Sequence, residues 1–358
     1  MDIDHYKMEN SNPIKIVIDL DRLKYPNTGM YYFCNHLYQN LIVLNKFSFY
    51  FYKHKQTILK NTQQVIKIQF WDAFFLKPKS DYTIWHTTSQ LSSRIPLEPI
   101  KLVLTIHDVN FLYSNKPHWK KKRELKKIQK KINRADYLTF ISNFTYLDVK
   151  KHLNIEEKKI KIIYNGVNLS SFPTFNNPKS FTKSKFLFAL GVITAKKNFH
   201  TCIALLKNTN YTLIVSGMIV DEDYKNIIID EANRNNVGER VILTGAISEE
   251  EKYWYLNNCE AFIFPSLSEG FGIPPIEAMR LGKPTFLSNL TSLPEIGGEH
   301  AYYFENFEET HMQTVFANGI EDYRENNRKE SIIEWSMQFT WEKATQEYLK
   351  VYEETLLL

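Results

Sequence analysis

The sequence predicts an α/β protein built from two doubly wound domains, and three observations carry that reading. Short apolar runs rich in β-branched and aromatic residues alternate with stretches of helical period, the alternation occurs in two separate series, and a polar segment without periodicity divides them. At 358 residues the chain is long enough for two domains that each bury a core.

The first series opens with KIVID at Lys15 to Asp19, a β-branched run ending in a polar residue, followed by a helical pattern through Gly29, Phe33, Leu37 and Leu41. Apolar runs at Phe47 to Tyr52, Val65 to Phe70, Lys101 to Ile106 and Tyr137 to Ile141 read as further strands of a parallel sheet, with Ile160 to Tyr164 as the last stretch before the linker. The stretch NGVNLSSFPTFNNPKSFTKSK is rich in Asn, Ser, Pro and Lys and reads as the linker. The second series reads as strand Phe186 to Leu190, helix Asn198 to Leu206, strand Tyr211 to Val215, helix Asp221 to Asn235, strand Arg240 to Leu243, helix Ser248 to Leu256 and strand Ala261 to Phe264. A helix from Pro274 and a strand from Pro284 to Leu287 follow, and amphipathic helices are expected near His311 to Tyr323 and Trp341 to Leu357. The expected division is residues 1–178 for the first domain and 179–338 for the second, with a last helix at about 339–358 packing back on the first.

Apolar residues make up 43% and charged residues 24% of the chain, the balance of a folded protein rather than a disordered one. No run approaches the ~18 to 20 apolar residues that span a bilayer, and MDIDHYKMENSNP has no apolar signal core, so a cytoplasmic location is expected. Cys34, Cys202 and Cys259 lie far apart with no paired spacing and read as buried apolar residues. Net charge is +5, with much of the basic excess between Lys116 and Arg134 on a helical pattern. A solvated face is the ordinary reading of that helix, and a peripheral contact with anionic lipid is the functional one.

The most informative stretch is PSLSEGFGIPPIEAMRLGKP, from Pro265 to Pro284. A strand ends before it, Gly270 and Gly272 let the backbone approach a ligand, and Pro274 and Pro275 suit a first helical turn. The positive end of that helix suits a diphosphate, while Glu269 and Glu277 can accept hydrogen bonds from sugar or ribose hydroxyls. A glycine-containing turn before an acidic helix start is the ordinary alternative. Asp19-Leu20-Asp21 and Asp221-Glu222-Asp223 have the spacing of a metal-binding pair, but neither sits in the expected context, and no metal or cofactor is called for.

The string as a whole, Glu269 then GFGIPPI then Glu277, resembles the signature of the retaining glycosyltransferases of family 4, in a form similar to O-antigen and lipopolysaccharide mannosyltransferases. Other segments match in order: TGMYYFCNHL, TIHDVNF, SNFTYLDVKKHL, IIYNGVN, Leu190-Gly191 with the following AKKNF, LTGAISEEEKYWYLNNCEAFIFPS and SNLTSLPEIGG. The resemblance implies a GT-B fold, two Rossmann-like domains facing across a cleft, and hexosyl transfer from a nucleotide diphosphate sugar to a glycan or lipid-linked acceptor. GDP-mannose is the expected donor and a UDP-sugar the alternative. By the same resemblance Glu277 binds the donor ribose, Glu269 the sugar ring and Lys197 the diphosphate, assisted by Lys196 and Gly191. The backbone of Gly270, Phe271, Gly272 and Ile273 approaches the sugar and phosphates, Ile247 lies near the base, and His107 faces the cleft near sugar or acceptor. One departure is Val192, where many relatives carry an arginine, so Lys196 and Lys197 would supply more of the phosphate charge. The rival readings are a nucleotide-sugar epimerase on the same fold and a nucleic-acid-binding protein, the latter supported only by the lysine-rich helix; no nucleic acid is expected.

Overall fold

The computed structural model describes residues 14–26, 28–53, 59, 65–67, 82–92, 95–96, 99–114, 116–175, 178 and 185–358. Seven strands of the first half, β1 (Lys15–Asp19), β2 (Ser48–Lys53), β3 (Val65–Lys67), β4 (Ile84–Thr87), β5 (Lys101–Ile106), β6 (Tyr137–Phe140) and β7 (Lys159–Ile162), form one parallel sheet in the order β3-β2-β1-β4-β5-β6-β7. Six of the second half, β8 (Phe186–Leu190), β9 (Thr212–Ser216), β10 (Val241–Gly245), β11 (Ala261–Phe264), β12 (Thr285–Ser288) and β13 (Tyr302–Phe304), form another in the order β10-β9-β8-β11-β12-β13. Each sheet runs outward from its first strand in both directions, the doubly wound arrangement. Its topological switch lies between β1 and β4 in one sheet and between β8 and β11 in the other.

Ten α-helices are described: α1 (Gly29–Leu41), α2 (His118–Arg134), α3 (Asn143–His152), α4 (Glu222–Arg234), α5 (Glu249–Asn258), α6 (Ile273–Arg280), α7 (Leu293–Gly297), α8 (Glu309–Glu325), α9 (Lys329–Ser336) and α10 (Trp341–Leu356). Several starts are set by side-chain caps that satisfy free N–H groups: Thr28 for α1, Ser142 for α3, Asp221 for α4, Thr340 for α10, and Ser248 with Glu251 in a capping box for α5.

Both sheets are covered on both faces. Ile16 and Ile18 of β1 pack with Phe33 and Leu37 of α1 and Tyr348 and Tyr352 of α10, while Val17 between them packs with Leu102, Leu104, Ile128 and Ile132 on the other face. In the second sheet Leu187 and Ala189 face one cluster, Phe186 and Phe188 the other. A fifth cluster, Ile141, Val167, Phe271, Ile276, Ile296 and Phe339, joins the two halves.

The segment expected as an α-helix from Asn198 to Leu206 is instead a 3-10 helix over Phe199–Leu206. Its period of three stacks Phe199, Cys202 and Leu205 in one buried row, which a 3.6-residue turn would spread around the axis. Strand β4, IWHT, has no apolar run to announce it because its third residue is His86. That ring is buried, with Nδ1 2.8 Å from Tyr352 Oη and Nε2 2.7 Å from Thr105 Oγ1, and burial pushes its pKa down to about 3. Of the run read as Val65 to Phe70, residues 68–70 lie outside the described residues. All three cysteines are buried and free.

Candidate active site

The second switch point assembles two charged pairs. After β8 the chain turns at Gly191, whose φ of 156° suits glycine, and the short 3-10 turn Ala195–Lys197 brings Lys197 back beneath it. A Cβ at position 191 would stand 3.0 Å from Lys197 Cε, so a side chain here would crowd the lysine. Lys197 Nζ lies 2.5 Å from Glu269 Oε1 and 4.5 Å from the centre of the Phe264 ring. Ser266 Oγ donates to the same carboxylate oxygen at 2.5 Å. Burial acts to raise the Glu269 carboxyl, but Lys197, Lys196 and the Ser266 hydroxyl outweigh it and hold Glu269 below the usual carboxylate range.

Three residues after Glu269 comes α6, capped by Gly272 at φ 128° with no side-chain cap. The helix starts at Ile273, one residue before the sequence reading, which puts Pro274 and Pro275 at its second and third positions. Prolines have no N–H, so the donors left free at this helix end are those of Gly272 and Ile273. The dipole is retained but the anion cradle is narrower than the expected full turn of N–H groups, which places more of a diphosphate's charge on the lysines.

Glu277 follows within α6, 5% exposed. Its Oε1 lies 2.7 Å from Lys252 Nζ, which also reaches Glu249 Oε2 at 2.8 Å. Burial raises the Glu277 carboxyl against the pull of Lys252. Burial likewise opposes the Lys252 ammonium, but the two carboxylates outweigh it and hold the lysine above its ordinary range. Lys252 was not among the sequence candidates, since 25 residues and a strand separate it from Glu277.

Gly270 is one of the points where the two halves touch. A Cβ there would stand 2.4 Å from the carbonyl oxygen of His107, so only glycine allows this approach. The Gly270 carbonyl accepts from Ser142 Oγ at 2.7 Å and Thr145 Oγ1 at 3.2 Å, both at the start of α3. From α7, the Glu295 carboxylate accepts the backbone N–H groups of Asn143 at 2.6 Å and Phe144 at 2.9 Å, capping α3 from the other half. His107 itself is 6% exposed, its Nε2 donating to the Thr88 carbonyl at 2.8 Å, which leaves Nδ1 as the acceptor of a neutral ring. Burial lowers its pKa and favours that neutral form.

Some predicted residues are oriented differently from the two pairs. The Phe271 side chain packs in the junction cluster beside Tyr164 and Phe339, with Ile273 against the same cluster, so only their backbone remains for a ligand. Ile247 is half-buried against the cluster of Phe186 and Tyr255, and Lys196 is exposed while its carbonyl accepts from Leu267 N at 2.9 Å. Of the acidic triplets, Asp221 caps α4, and Asp19 is buried with Ser92 and the Asp21 N–H as donors.

Comparison with known proteins agrees with this architecture. Residues 40–171 match the model described as Glycosyltransferase Family 4, and residues 172–334 that described as Glycosyl transferases group 1. The serotype-specific mannosyltransferase WbdA of Escherichia coli is 26% identical over 290 residues, 75% of this chain and 34% of that protein. The O-antigen chain mannosyltransferase RfbU of Salmonella typhimurium is 25% identical over 228 residues, 60% of each. The chain thus spans about a third of the length of WbdA and less than two thirds of RfbU. Among solved structures, sucrose-phosphate synthase from Thermosynechococcus elongatus superposes with a TM-score of 0.76 at 14% identity, covering 95% of this chain and 98% of that one. HepE from Anabaena, in complex with UDP and glucose, superposes with a TM-score of 0.75 at 15% identity, covering 95% and 100%. With two doubly wound domains joined at the glycine of a two-glutamate signature, and the two family models running in tandem from residue 40 to residue 334, the chain has the GT-B fold and belongs to glycosyltransferase family 4.

Proposed function

We propose that the chain is a retaining hexosyltransferase that moves mannose from GDP-mannose to a glycan or lipid-linked acceptor of a surface polysaccharide. The observation that carries this reading is the pair of glutamates on either side of the α6 N-terminus, Glu277 buried and Glu269 half-buried, each held by a lysine. In this reading Glu277 takes the ribose hydroxyls, Glu269 faces the sugar, and Lys197, Lys196 and the α6 N-terminus take the diphosphate. His107, at the carboxyl edge of the first sheet, faces sugar or acceptor. Leaving-group charge is met by these groups without a metal ion. Residues 1–178 form the acceptor side and 179–338 the donor side, with α10 returning to the first. The mannosyl assignment rests on the named activities of WbdA and RfbU; the UDP and glucose bound in HepE make UDP-glucose the competing donor.

Retention without an enzymic nucleophile places departure and attack on one face of the sugar, the departing phosphate receiving the acceptor proton. The test is a panel of nucleotide sugars scored by thermal shift, followed by product analysis with the donor that stabilises most. Stabilisation by GDP-mannose and formation of an α-mannoside support the proposal; stabilisation by UDP-sugars alone overturns the donor, and an inverted product overturns retention. Glu277→Ala should weaken donor binding by about 1.5 to 3 kcal/mol through loss of charge-assisted hydrogen bonds, and unchanged affinity in a folded variant would remove Glu277 from the site.

The exposed face of α2, with Trp119 61% exposed, supports a cytoplasmic protein that docks peripherally on anionic membrane, where a lipid-linked acceptor resides.

A further inference from the structure

We propose that Lys252 is a positioning residue for the donor nucleotide: it keeps the buried Glu277 ionised and oriented so that the carboxylate can accept both ribose hydroxyls. This rests on the reading of Glu277 as the ribose-binding group, and it assigns a role to a residue on a different helix.

Two observations and the chemistry of a carboxyl group support it. Glu277 is 5% exposed, and a carboxyl that far from water tends to hold its proton. A protonated carboxyl presents one donor and reduced acceptor capacity, whereas a vicinal diol offers two O–H donors that match the two oxygens of an ionised carboxylate. Lys252 supplies the missing charge at 2.7 Å from Oε1, with its own side chain only 13% exposed.

Lys252 is itself held. Glu249, one turn earlier on α5, binds its Nζ at 2.8 Å, and the capping box of Ser248 and Glu251 pins the start of that helix. From the first half, Tyr32 Oη donates to Glu249 Oε1 at 3.3 Å. The titratable groups facing Glu277 are therefore Lys252 and Glu249 from α5, with Tyr32 and His36 of α1 behind them. The other helices on α6 bring Glu295, which caps α3, and Lys329, Glu330 and Glu334, with Lys329 beside Gly282 beyond the far end of α6.

The direction of the pH effect follows. Glu277 already lies above its ordinary range with Lys252 present, so removing the ammonium raises it further. The nucleotide selects the ionised form, so the variant loses affinity on the acid side and recovers it as pH rises, releasing a proton on binding.

The experiment is calorimetric titration of GDP and of UDP into the parent chain, Lys252→Met, Lys252→Arg and Glu277→Gln, between pH 6 and pH 8.5, in two buffers of different ionisation enthalpy. The parent should vary less than about threefold across the range, and Lys252→Met should bind about tenfold more weakly at pH 6 than at pH 8.5, the ratio expected for one unit of pKa. Lys252→Met should also release a proton at pH 6, and Lys252→Arg should restore the parent profile. A loss in Lys252→Met that is equal at all pH values, or no loss, overturns the proposal while leaving Glu277 in place. Parent-like binding by Glu277→Gln, or no binding of either nucleotide by the parent, overturns the donor reading beneath it. If Lys252→Met does not fold by circular dichroism, Lys252→Gln is read in the same way, and unfolding of both assigns Lys252 to stability and overturns the proposal.

Discussion

Truncating Lys197 would leave Glu269 as a carboxylate only 14% exposed with its cation gone, so the substitution perturbs the fold as well as the chemistry. Lys197→Ala should cost on the order of 3 kcal/mol of stability in addition to turnover. Adding Glu269→Gln removes the stranded charge, so the double variant should recover much of the lost Tm but none of the lost kcat. Recovery of both by the double variant would confine the pair to a structural role. A second residue-scale effect concerns Asp19, whose carboxyl burial pushes up to about 6 even though the Ser92 hydroxyl and the Asp21 N–H favour its ionised form. Because the folded chain binds this proton more tightly than the unfolded one, Asp19 opposes folding progressively as pH rises from about 4 through about 6, and the cost then stays constant. Asp19→Asn, which keeps an acceptor for Ser92, should flatten the Tm profile over that window. An unchanged profile would show that other groups set it.

At the scale of elements, α2 combines a buried stripe, Ile128 and Ile132, with an exposed face carrying Trp119, Lys122, Arg123, Lys126 and Lys130. Its basic residues do not form a uniform surface. Lys121 donates to the Leu112 carbonyl at 2.7 Å, and Lys131 reaches the carbonyls of Gln90 and Ser92, so these two tie loops to the helix. The exposed set alone should carry membrane binding. Replacing Lys122, Arg123, Lys126 and Lys130 by glutamine should lower binding to anionic liposomes by about tenfold or more while leaving nucleotide-sugar affinity unchanged, because the diphosphate groups sit on the other half of the chain. Equal liposome binding would make α2 an ordinary solvated face, and parallel loss of donor affinity would overturn the division between acceptor and donor sides. Helix α6 shows what element-level sequence reading can and cannot reach. Its start beside Pro274 and Pro275 is legible from proline's fixed φ, yet those prolines also remove the N–H groups that would have made it a full anion cradle.

For the whole molecule, a tight contact between the halves is Gly270 against the His107 carbonyl, fastened by Ser142, Thr145 and Glu295 beside the apolar junction cluster. Gly270→Ala would place a Cβ 2.4 Å from a backbone oxygen, and neither side of that contact is a flexible chain end. The variant should hold its halves apart, with a larger radius of gyration by small-angle scattering and kcat/KM reduced by at least about a hundredfold, as expected when reacting groups are misplaced by an ångström. An unchanged radius with full activity would mean that the loop shifts without consequence. The two-domain α/β plan, the strand ends at Leu190, Phe264 and Ile106 and the Glu269 to Glu277 spacing were all legible in the sequence, because they depend on local period, turn residues and helix starts. Strand β4 was not, because its His86 is tolerated through Thr105 of β5 and Tyr352, the latter arriving from α10 266 residues later. Nor was the pairing of Glu277 with Lys252, the capping of α3 by Glu295, or the turning of Phe271 into the junction. Local pattern determined which residues could form strands, turns and helix ends, whereas their charge partners were decided only when the winding of two sheets brought distant helices together, since burial and Coulomb attraction depend on separation in space and not along the chain.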